Sequence, residues 1–348
     1  MSMDEIGIGI IGCGFWANEM HLPAFQKNPH ARVLAVASQS EQSARATAER
    51  FGIKTWTTDY RELLDRSDIQ VVDVLTPNYL HAPIAIAAAG RGKHVICIKP
   101  LCMSLEQADQ MIAAANQAGV QLFYAENVPF IPALTRAREI IDEGAIGDVF
   151  RVKACEGIGS PHAEWFFDPL QSGGGTIIDM SVHSIAFCMW MAGAAARTVY
   201  AEAGTFVHAD RTKEEDTAVL TMRFQNGVIG QAEDSWSLVG AMDSRFEVFG
   251  TRGRILIDNL HRQPLQVLSE NGYAYWGGPR SGGRGWTFPL PLPGDITDGQ
   301  SAMLNHFLAC LIDNRPSRSS ATDGKSHLAI VHAAYRSMRS GRAETVAG

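Results

Sequence analysis

Along the first 125 residues, short apolar runs alternate with longer segments in which apolar positions recur every three or four residues. A parallel sheet covered by helices carries that rhythm, because its strands are buried on both faces while each connecting helix buries only one. Residues 6–11, 33–37, 71–75, 94–98 and 121–125 are brief, rich in Val, Ile and Leu, and bounded by Gly, Pro or Asn, which predicts strands. Residues 41–51, 60–66, 80–91 and 105–118 are predicted helices. Ser104 and Gln107 have the spacing of a capping box, and Gly119 stands just past the end of the same helix.

After Glu126 the rhythm changes. One helix, 132–143, leads through Gly144 and Gly147 into longer segments that alternate with period two, at 149–156, 199–207, 216–224, 227–234 and 244–250. Gln225-Asn226-Gly227 supplies a hairpin turn between two of them. Such alternation gives a sheet one apolar face for a core and one face for solvent or a partner. The Gly- and Pro-rich stretch 277–293 predicts a long loop or lid, and 301–313 and 322–340 predict two closing helices. The expected architecture is therefore α/β. A doubly wound parallel sheet fills a domain over 1–126, and an α+β domain with a large, mostly antiparallel open sheet spans 127–348. The last helix, about 322–340, is the segment that can return to the first domain.

A chain of 348 residues suits two cores better than one. Its 46% hydrophobic and 19% charged composition is that of a globular protein, and no run approaches the roughly 18 apolar residues of a membrane span, so no membrane partner is expected. Met1-Ser2-Met3-Asp4-Glu5 is acidic where a signal peptide is basic, which predicts a cytoplasmic location. The six cysteines form no C-x-x-C pair, arguing against disulfides and structural zinc. A net charge of −7 with dispersed Lys and Arg gives no footprint for nucleic acid. A small molecule is the expected ligand.

The first predicted strand runs into Gly12-Cys13-Gly14-Phe15-Trp16-Ala17, which fits G-x-G-x-x-G/A at a strand-to-helix turn. Gly12 permits the tight turn, Gly14 lets the backbone approach a pyrophosphate, and Ala17 allows close helix packing. The helix N-terminus offers N–H groups and partial positive charge to the phosphates. This is the Rossmann fingerprint for NAD or NADP. The second strand ends at Ser38-Gln39-Ser40, where NAD-selective domains carry an acid for the ribose 2′-hydroxyl. Small hydroxyl residues there, with Arg45 a helical turn further on, leave room for a 2′-phosphate, so NADP is expected to be at least tolerated; Glu41 is close enough in sequence to serve the ribose instead.

Other segments carry further chemistry. Strand 94–98 ends in Lys99-Pro100, at the carboxyl end of a parallel sheet, where ligands of such sheets bind. Downstream, Gly173-Gly174-Gly175 precedes a predicted helix on which Asp179 and His183, four residues apart, share a face. A carboxylate one turn from a histidine can orient it or stabilise its charge. The segment from Ser160 to Asp168 mixes aromatic faces with polar ends. That suits a polyol, whose C–H faces stack on rings while its hydroxyls need donors and acceptors; Phe166 and Phe167 fit a packing cluster equally well, His162 and Trp165 less so.

In order and spacing, the glycine turn, Thr76-Pro77-Asn78-Tyr79-Leu80-His81, Lys99-Pro100, Tyr124-Ala125-Glu126-Asn127 and the segment from Gly173 to His183 resemble the Gfo/Idh/MocA family, over nearly the whole chain. Glucose–fructose oxidoreductase and inositol dehydrogenase are members. The resemblance implies hydride transfer between NAD(P) and a secondary alcohol or ketone of a sugar, sugar derivative or cyclitol, with Lys99, Asp179 and His183 as the catalytic set. Cofactor contacts are expected at Gly12, Gly14, Phe15, Trp16, Ala17, Ser38, Gln39, Ser40, Arg45, Thr76, Pro77, Asn78, His81, Lys99 and Glu126. Substrate contacts are expected at Lys99, Asn127, Glu156, His162, Trp165, Asp179 and His183. The second-domain sheet is expected to build a homodimer or homotetramer. Two departures stand out. The family writes Glu-Lys-Pro where this chain has Ile98 before Lys99, so Glu126 or Glu156 would have to place the lysine, and Val128-Pro129-Phe130 follows Asn127 where the family often has Arg.

Two rival readings use the same residues. Proteins of this fold also bind NAD(P) without net turnover, as sensors, subunits or redox-neutral isomerases and hydrolases. Alternatively, Glu126, Glu156, His162, Asp179 and His183 could meet as a mixed oxygen and nitrogen metal site. No clustered ligand spacing supports the latter, so no metal is expected.

Overall fold

The computed structural model describes residues 5–240, 242–274, 283–288 and 296–347. The chain forms two compact units, Met1–Glu126 with Leu170–Gly173 and Gln300–Leu328, and Asn127–Pro169 with Gly174–Gly299 and Ala329–Gly348.

The first unit is built on a six-stranded parallel sheet of β1 (Ile6–Ile11), β2 (Ala31–Ala37), β3 (Thr55–Thr57), β4 (Val71–Val74), β5 (His94–Ile98) and β6 (Leu122–Ala125), in the order β3-β2-β1-β4-β5-β6. β1 and β4 are buried at every position, which is why they read as unbroken apolar runs. Asp73 is the exception, and its carboxylate pairs with the buried His21 ring at 2.7 Å. A π-helical turn, Trp16–His21, continues into α1 (Leu22–Lys27); α2 (Glu41–Phe51), α3 (Arg61–Leu64), α4 (His81–Ala89) and α5 (Leu105–Ala118) make the later connections. At the start of α5 the Ser104 half of the capping box forms, while Gln107 reaches back to the residue before the cap. Ser104 Oγ accepts the Gln107 N–H at 3.1 Å, Gln107 Oε1 accepts the N–H of Met103 at 3.0 Å, and Gly119 closes the helix at φ 66°. Strand β3 has no counterpart in the sequence reading, because Thr55-Trp56-Thr57 buries only its last residue. The strand order reverses between β1 and β4, where doubly wound sheets open a crevice at the carboxyl ends.

The second unit holds a nine-stranded sheet of β7 (Val149–Gly157), β8 (Ala196–Gly204), β9 (Thr217–Phe224), β10 (Ile229–Ser235), β11 (Asp243–Gly250), β12 (Gly253–Asp258), β13 (Leu265–Ser269), β14 (Gly285–Thr287) and β15 (Glu344–Thr345). Their order is β14-β13-β12-β11-β7-β10-β9-β8-β15; β7 and β10 run parallel and every other neighbouring pair antiparallel. β9 and β10 are joined by the expected turn, with Gly227 at φ 88° and Asn226 Oδ1 accepting the Val228 N–H. Along β9, Ala218, Leu220, Met222 and Phe224 enter the core while Val219, Thr221 and Arg223 are exposed. The remaining helices of the chain are α6 (Pro132–Asp142), α7 (Pro169–Ser172), α8 (Thr176–Asp179), α9 (Ser181–Ala192), α10 (Ile296–Ile312) and α11 (Ala321–Ser340). α9 packs on β7 and β10. β12 and β13 extend the sheet beyond the last predicted strand, and most of 277–293, the expected loop or lid, lies outside the described residues. Within that stretch β14 pairs with β13 as a strand. Among the described residues no single helix is long and apolar enough to cross a membrane.

Candidate functional site

In the first unit, every residue expected to touch a dinucleotide lies at or just beyond the carboxyl end of a parallel strand. Gly12 to Ala17 follow β1, Ser38 to Ser40 follow β2 with Arg45 on α2, Thr76 to His81 follow β4, Lys99 follows β5 and Glu126 follows β6. Gly12 sits at φ 105°, and a Cβ there would collide with the Leu75 carbonyl oxygen. Gly14 has no atom within 4 Å of where its Cβ would be, so its backbone faces an open cradle of the kind a pyrophosphate fills. The Asn18 amide donates to the carbonyls of Cys13 at 3.0 Å and Gly14 at 2.9 Å, and Thr47 Oγ1 donates to Asn18 Oδ1 at 3.1 Å. Asn18 thereby holds both carbonyls on the protein side of the turn. The Cys13 thiol, pushed up to about 11 by burial, is inert.

Several expected contacts have a different use. His81 is fully buried, with ring nitrogens 2.8 Å from the carbonyl oxygens of Pro100 and Thr76, so it ties the β4 loop to the Lys99-Pro100 step instead of reaching a ligand. Asn78 is also buried and donates its amide to the Ser172 carbonyl at 2.7 Å. Ser40 Oγ caps α2 by accepting the Ser43 N–H, and Arg45 donates to Glu49 on its own helix at 2.8 Å, a pair it would leave to meet a 2′-phosphate. Lys99 is half-buried and its peptide bond to Pro100 is cis. Ile98 pairs in register with Ala125, so Lys99 and the buried Glu126 follow on adjacent strand ends.

In the second unit, Asp179 and His183 do not lie on one unbroken helix. Asp179 ends α8 and His183 lies in the first turn of α9, with Met180 between the two helices. The His183 N–H turns back to the Met180 carbonyl at 3.0 Å, a tighter closure than the α-helical one. Asp179 is 5% exposed, and its Oδ2 accepts the indole N–H of Trp236 at 2.8 Å. Trp236 meets Phe166 and Phe167 edge-on, and these form a buried cluster with Met180. Phe166 and Phe167 are thus packing residues. Trp165 stacks on Phe166 at 3.8 Å and the exposed His162 meets it at 4.9 Å, which makes these two the outer layer of the cluster. Asn127 is buried. The buried Glu156 on β7 accepts from Ser244 Oγ at 3.1 Å, and its register neighbour Asp234, pushed up to about 7 by burial, accepts from Ser184 Oγ at 2.6 Å. Among the described residues no group of three or more His, Cys, Asp or Glu is placed to hold a metal ion.

Asn18, Trp236 and Glu215 are site-shaping residues that the sequence reading missed. Trp236 closes the polar run Glu233-Asp234-Ser235, and an indole so placed needs an acceptor for its N–H, which is the signal that was available.

Comparison with known proteins is consistent across both units. Residues 6–126 match the model described as "Oxidoreductase family, NAD-binding Rossmann fold", and residues 134–256 match the GFO/IDH/MocA C-terminal domain. Myo-inositol 2-dehydrogenase of Thermotoga maritima is 29% identical over 98% of this chain and 99% of its own length. Levoglucosan dehydrogenase of Pseudarthrobacter phenanthrenivorans is 33% identical over 76% of each chain. A solved structure of levoglucosan dehydrogenase with NADH and levoglucosan superposes with a TM-score of 0.88 at 28% identity, covering 99% of this chain and 100% of that one.

The two glycines of the turn should respond differently to substitution. Gly14→Ala adds a methyl to open space, so it should leave the melting temperature unchanged while weakening NADH binding by about tenfold or more through loss of the cradle. Gly12→Ala should lower both. Fluorescence titration beside thermal melts checks this; a Gly14→Ala protein that binds NADH normally would contradict the cradle.

Proposed function

Because the chain belongs to the Gfo/Idh/MocA family of NAD-binding oxidoreductases, we propose that it moves a hydride between NAD(P) and a secondary alcohol or ketone of a sugar, sugar derivative or cyclitol. The observation that carries this reading is the open cradle at Gly14, held by Asn18, at the carboxyl end of the sheet, which also presents Lys99. Relatives that act on inositol and levoglucosan support the substrate class. The outer aromatic pair, His162 and Trp165, suits the C–H faces of a polyol.

In this mechanism Gly12, Gly14 and the following helical turn hold the dinucleotide, and the bound nicotinamide supplies the hydride acceptor or donor. Lys99 stabilises the alkoxide that develops on the substrate oxygen, and His183 takes the hydroxyl proton. Asp179 orients His183 and accepts a hydrogen bond from a substrate hydroxyl. Glu126, one step past the β5–β6 register pair, does for Lys99 what the family's preceding glutamate would do. Reduction of a ketone uses the same groups in reverse. The absence of an acid at Ser38-Gln39-Ser40 extends the cofactor to NADP. Six buried, unbridged cysteines fit a reducing compartment, and the reading places the reaction in the cytoplasm. The outer face of the second-unit sheet, with Val219 and Phe150 exposed, is the surface assigned to a homodimer or homotetramer.

Three measurements check these roles. Lys99→Met and His183→Ala should each lower kcat by roughly a hundredfold or more, far more than they weaken NADH binding, because both act where charge develops in the transition state. Near-normal turnover by Lys99→Met would show that the family mechanism does not carry over. NADP should bind at least as well as NAD, and Ser38→Asp should shift the preference towards NAD; a wild-type protein binding NAD a hundredfold more tightly would assign the ribose to Glu41. Light scattering should give a dimer or tetramer at micromolar concentration, and the mass of a single chain would contradict the sheet-face assignment.

A further inference from the structure

Helix α8 has only four residues, Thr176–Asp179, too few to be stable on its own, since a single turn fixes several dihedrals for one or two hydrogen bonds. Yet it carries Asp179, whose carboxylate must keep one orientation to be useful. The surrounding residues grip it at both ends. At its start, the Glu215 carbonyl accepts the Thr176 N–H at 2.9 Å and the Glu215 carboxylate accepts the Ile177 N–H at 2.9 Å, capping two helix donors from outside the helix. The Tyr335 hydroxyl donates to the same carboxylate oxygen at 3.0 Å. Gly174 and Gly175 make room for this clamp: a Cβ at Gly174 would strike the Tyr335 ring and hydroxyl, and one at Gly175 would strike Glu215.

At the other end stands Trp236. Its side chain has no solvent exposure and packs against Phe166, Phe167 and Met180, so the indole has one place to point its N–H, and that place is Asp179 Oδ2. Its own backbone is pinned as well. The Trp236 N–H donates to the Asp216 carbonyl at 2.7 Å, and the His208 ring donates to the Trp236 carbonyl at 3.1 Å. The Asp216 carboxylate accepts the N–H groups of Phe206, Val207 and His208, which stiffens the loop. Two consecutive residues, Glu215 and Asp216, therefore anchor both grips on Asp179.

We propose that Trp236 is a positioning residue for Asp179, its indole N–H fixing the plane of the carboxylate, and that Glu215 and Tyr335 are positioning residues that hold the helix carrying it. The assignment rests on the reading of Asp179 as part of the reacting set. Trp236→Phe keeps an aromatic ring in the cluster and removes only the donor, and Tyr335→Phe loosens the clamp on Glu215 from the opposite end.

The test joins a spectroscopic readout to a double-mutant cycle on the full chain. Fluorine NMR of protein carrying fluorotryptophan resolves the seven tryptophans, and the resonance missing from Trp236→Phe assigns the one in question. That resonance should move in Asp179→Asn and in Tyr335→Phe; if neither moves it, the clamp is absent and the proposal falls, whatever the reaction. With the polyol that turns over, Trp236→Phe should lower kcat by about tenfold, the worth of one hydrogen bond to a charged group, with KM and NADH affinity little changed. In an Asp179→Asn background the same change should cost almost nothing further. An equal loss in both backgrounds would make Trp236 structural only and overturn the proposal alone. Full activity of Asp179→Asn would overturn the underlying reading of Asp179 instead. Should Trp236→Phe fail to fold, Tyr335→Phe is put through the same cycle with the same criteria.

Discussion

A parallel sheet covered on both faces admits polar side chains only at its ends, and that constraint places the chemistry of the first unit. β1 and β4 are buried throughout, and the one ionisable residue inside them, Asp73, is matched by His21. Everything able to meet a charged ligand therefore collects where strands give way to loops: the glycine turn after β1, the hydroxyl residues after β2, Lys99 after β5 and Glu126 after β6. The loops are not left to themselves. Asn18 holds the carbonyls of the glycine turn, and His81 bridges Thr76 to Pro100, so two neighbouring loops share one rigid connection.

The second unit solves a different problem. Its mixed sheet packs β7 and β10 against α9, and the buried carboxylates there, Glu156 and Asp234, each accept a hydroxyl, from Ser244 and Ser184. Asp179, by contrast, sits on a single helical turn that local propensity could not maintain, and its place is set by residues far away in sequence. Sheet, loop and last helix each contribute one grip: Trp236 at the end of β10, Glu215 before β9, and Tyr335 on α11.

This contrast explains what could be read from the sequence. The first unit was legible almost strand by strand, because buried parallel strands are apolar runs and the glycine turn has a fixed mechanism. β3 escapes the pattern because it buries one side chain, and β12 and β13 lie beyond the last expected strand. Among the candidate site residues, spacing singles out Gly12, Gly14, Lys99, Asp179 and His183, but it puts Asp179 and His183 on one helix where the chain forms two. The break between α8 and α9, and the distant contacts from Glu215 and Trp236 that hold α8, are encoded in no periodicity. The same is true of His81 and Asn78, whose polar side chains look available in a motif and are consumed by neighbouring carbonyls in the fold. Trp236 and Glu215 lie 57 and 38 positions from their partners in the α8 segment, beyond the reach of any local pattern.

The central claim is net hydride transfer between a nicotinamide and a polyol. Its most direct test is the absorbance of the reduced cofactor when purified protein is mixed with NAD or NADP and a panel of sugars, sugar acids, anhydrosugars and cyclitols. At least one polyol should give steady formation of reduced cofactor in proportion to enzyme. A protein that keeps its nicotinamide bound through purification and shows no steady-state change with any member of the panel would contradict the account and point to a redox-neutral use of the same fold.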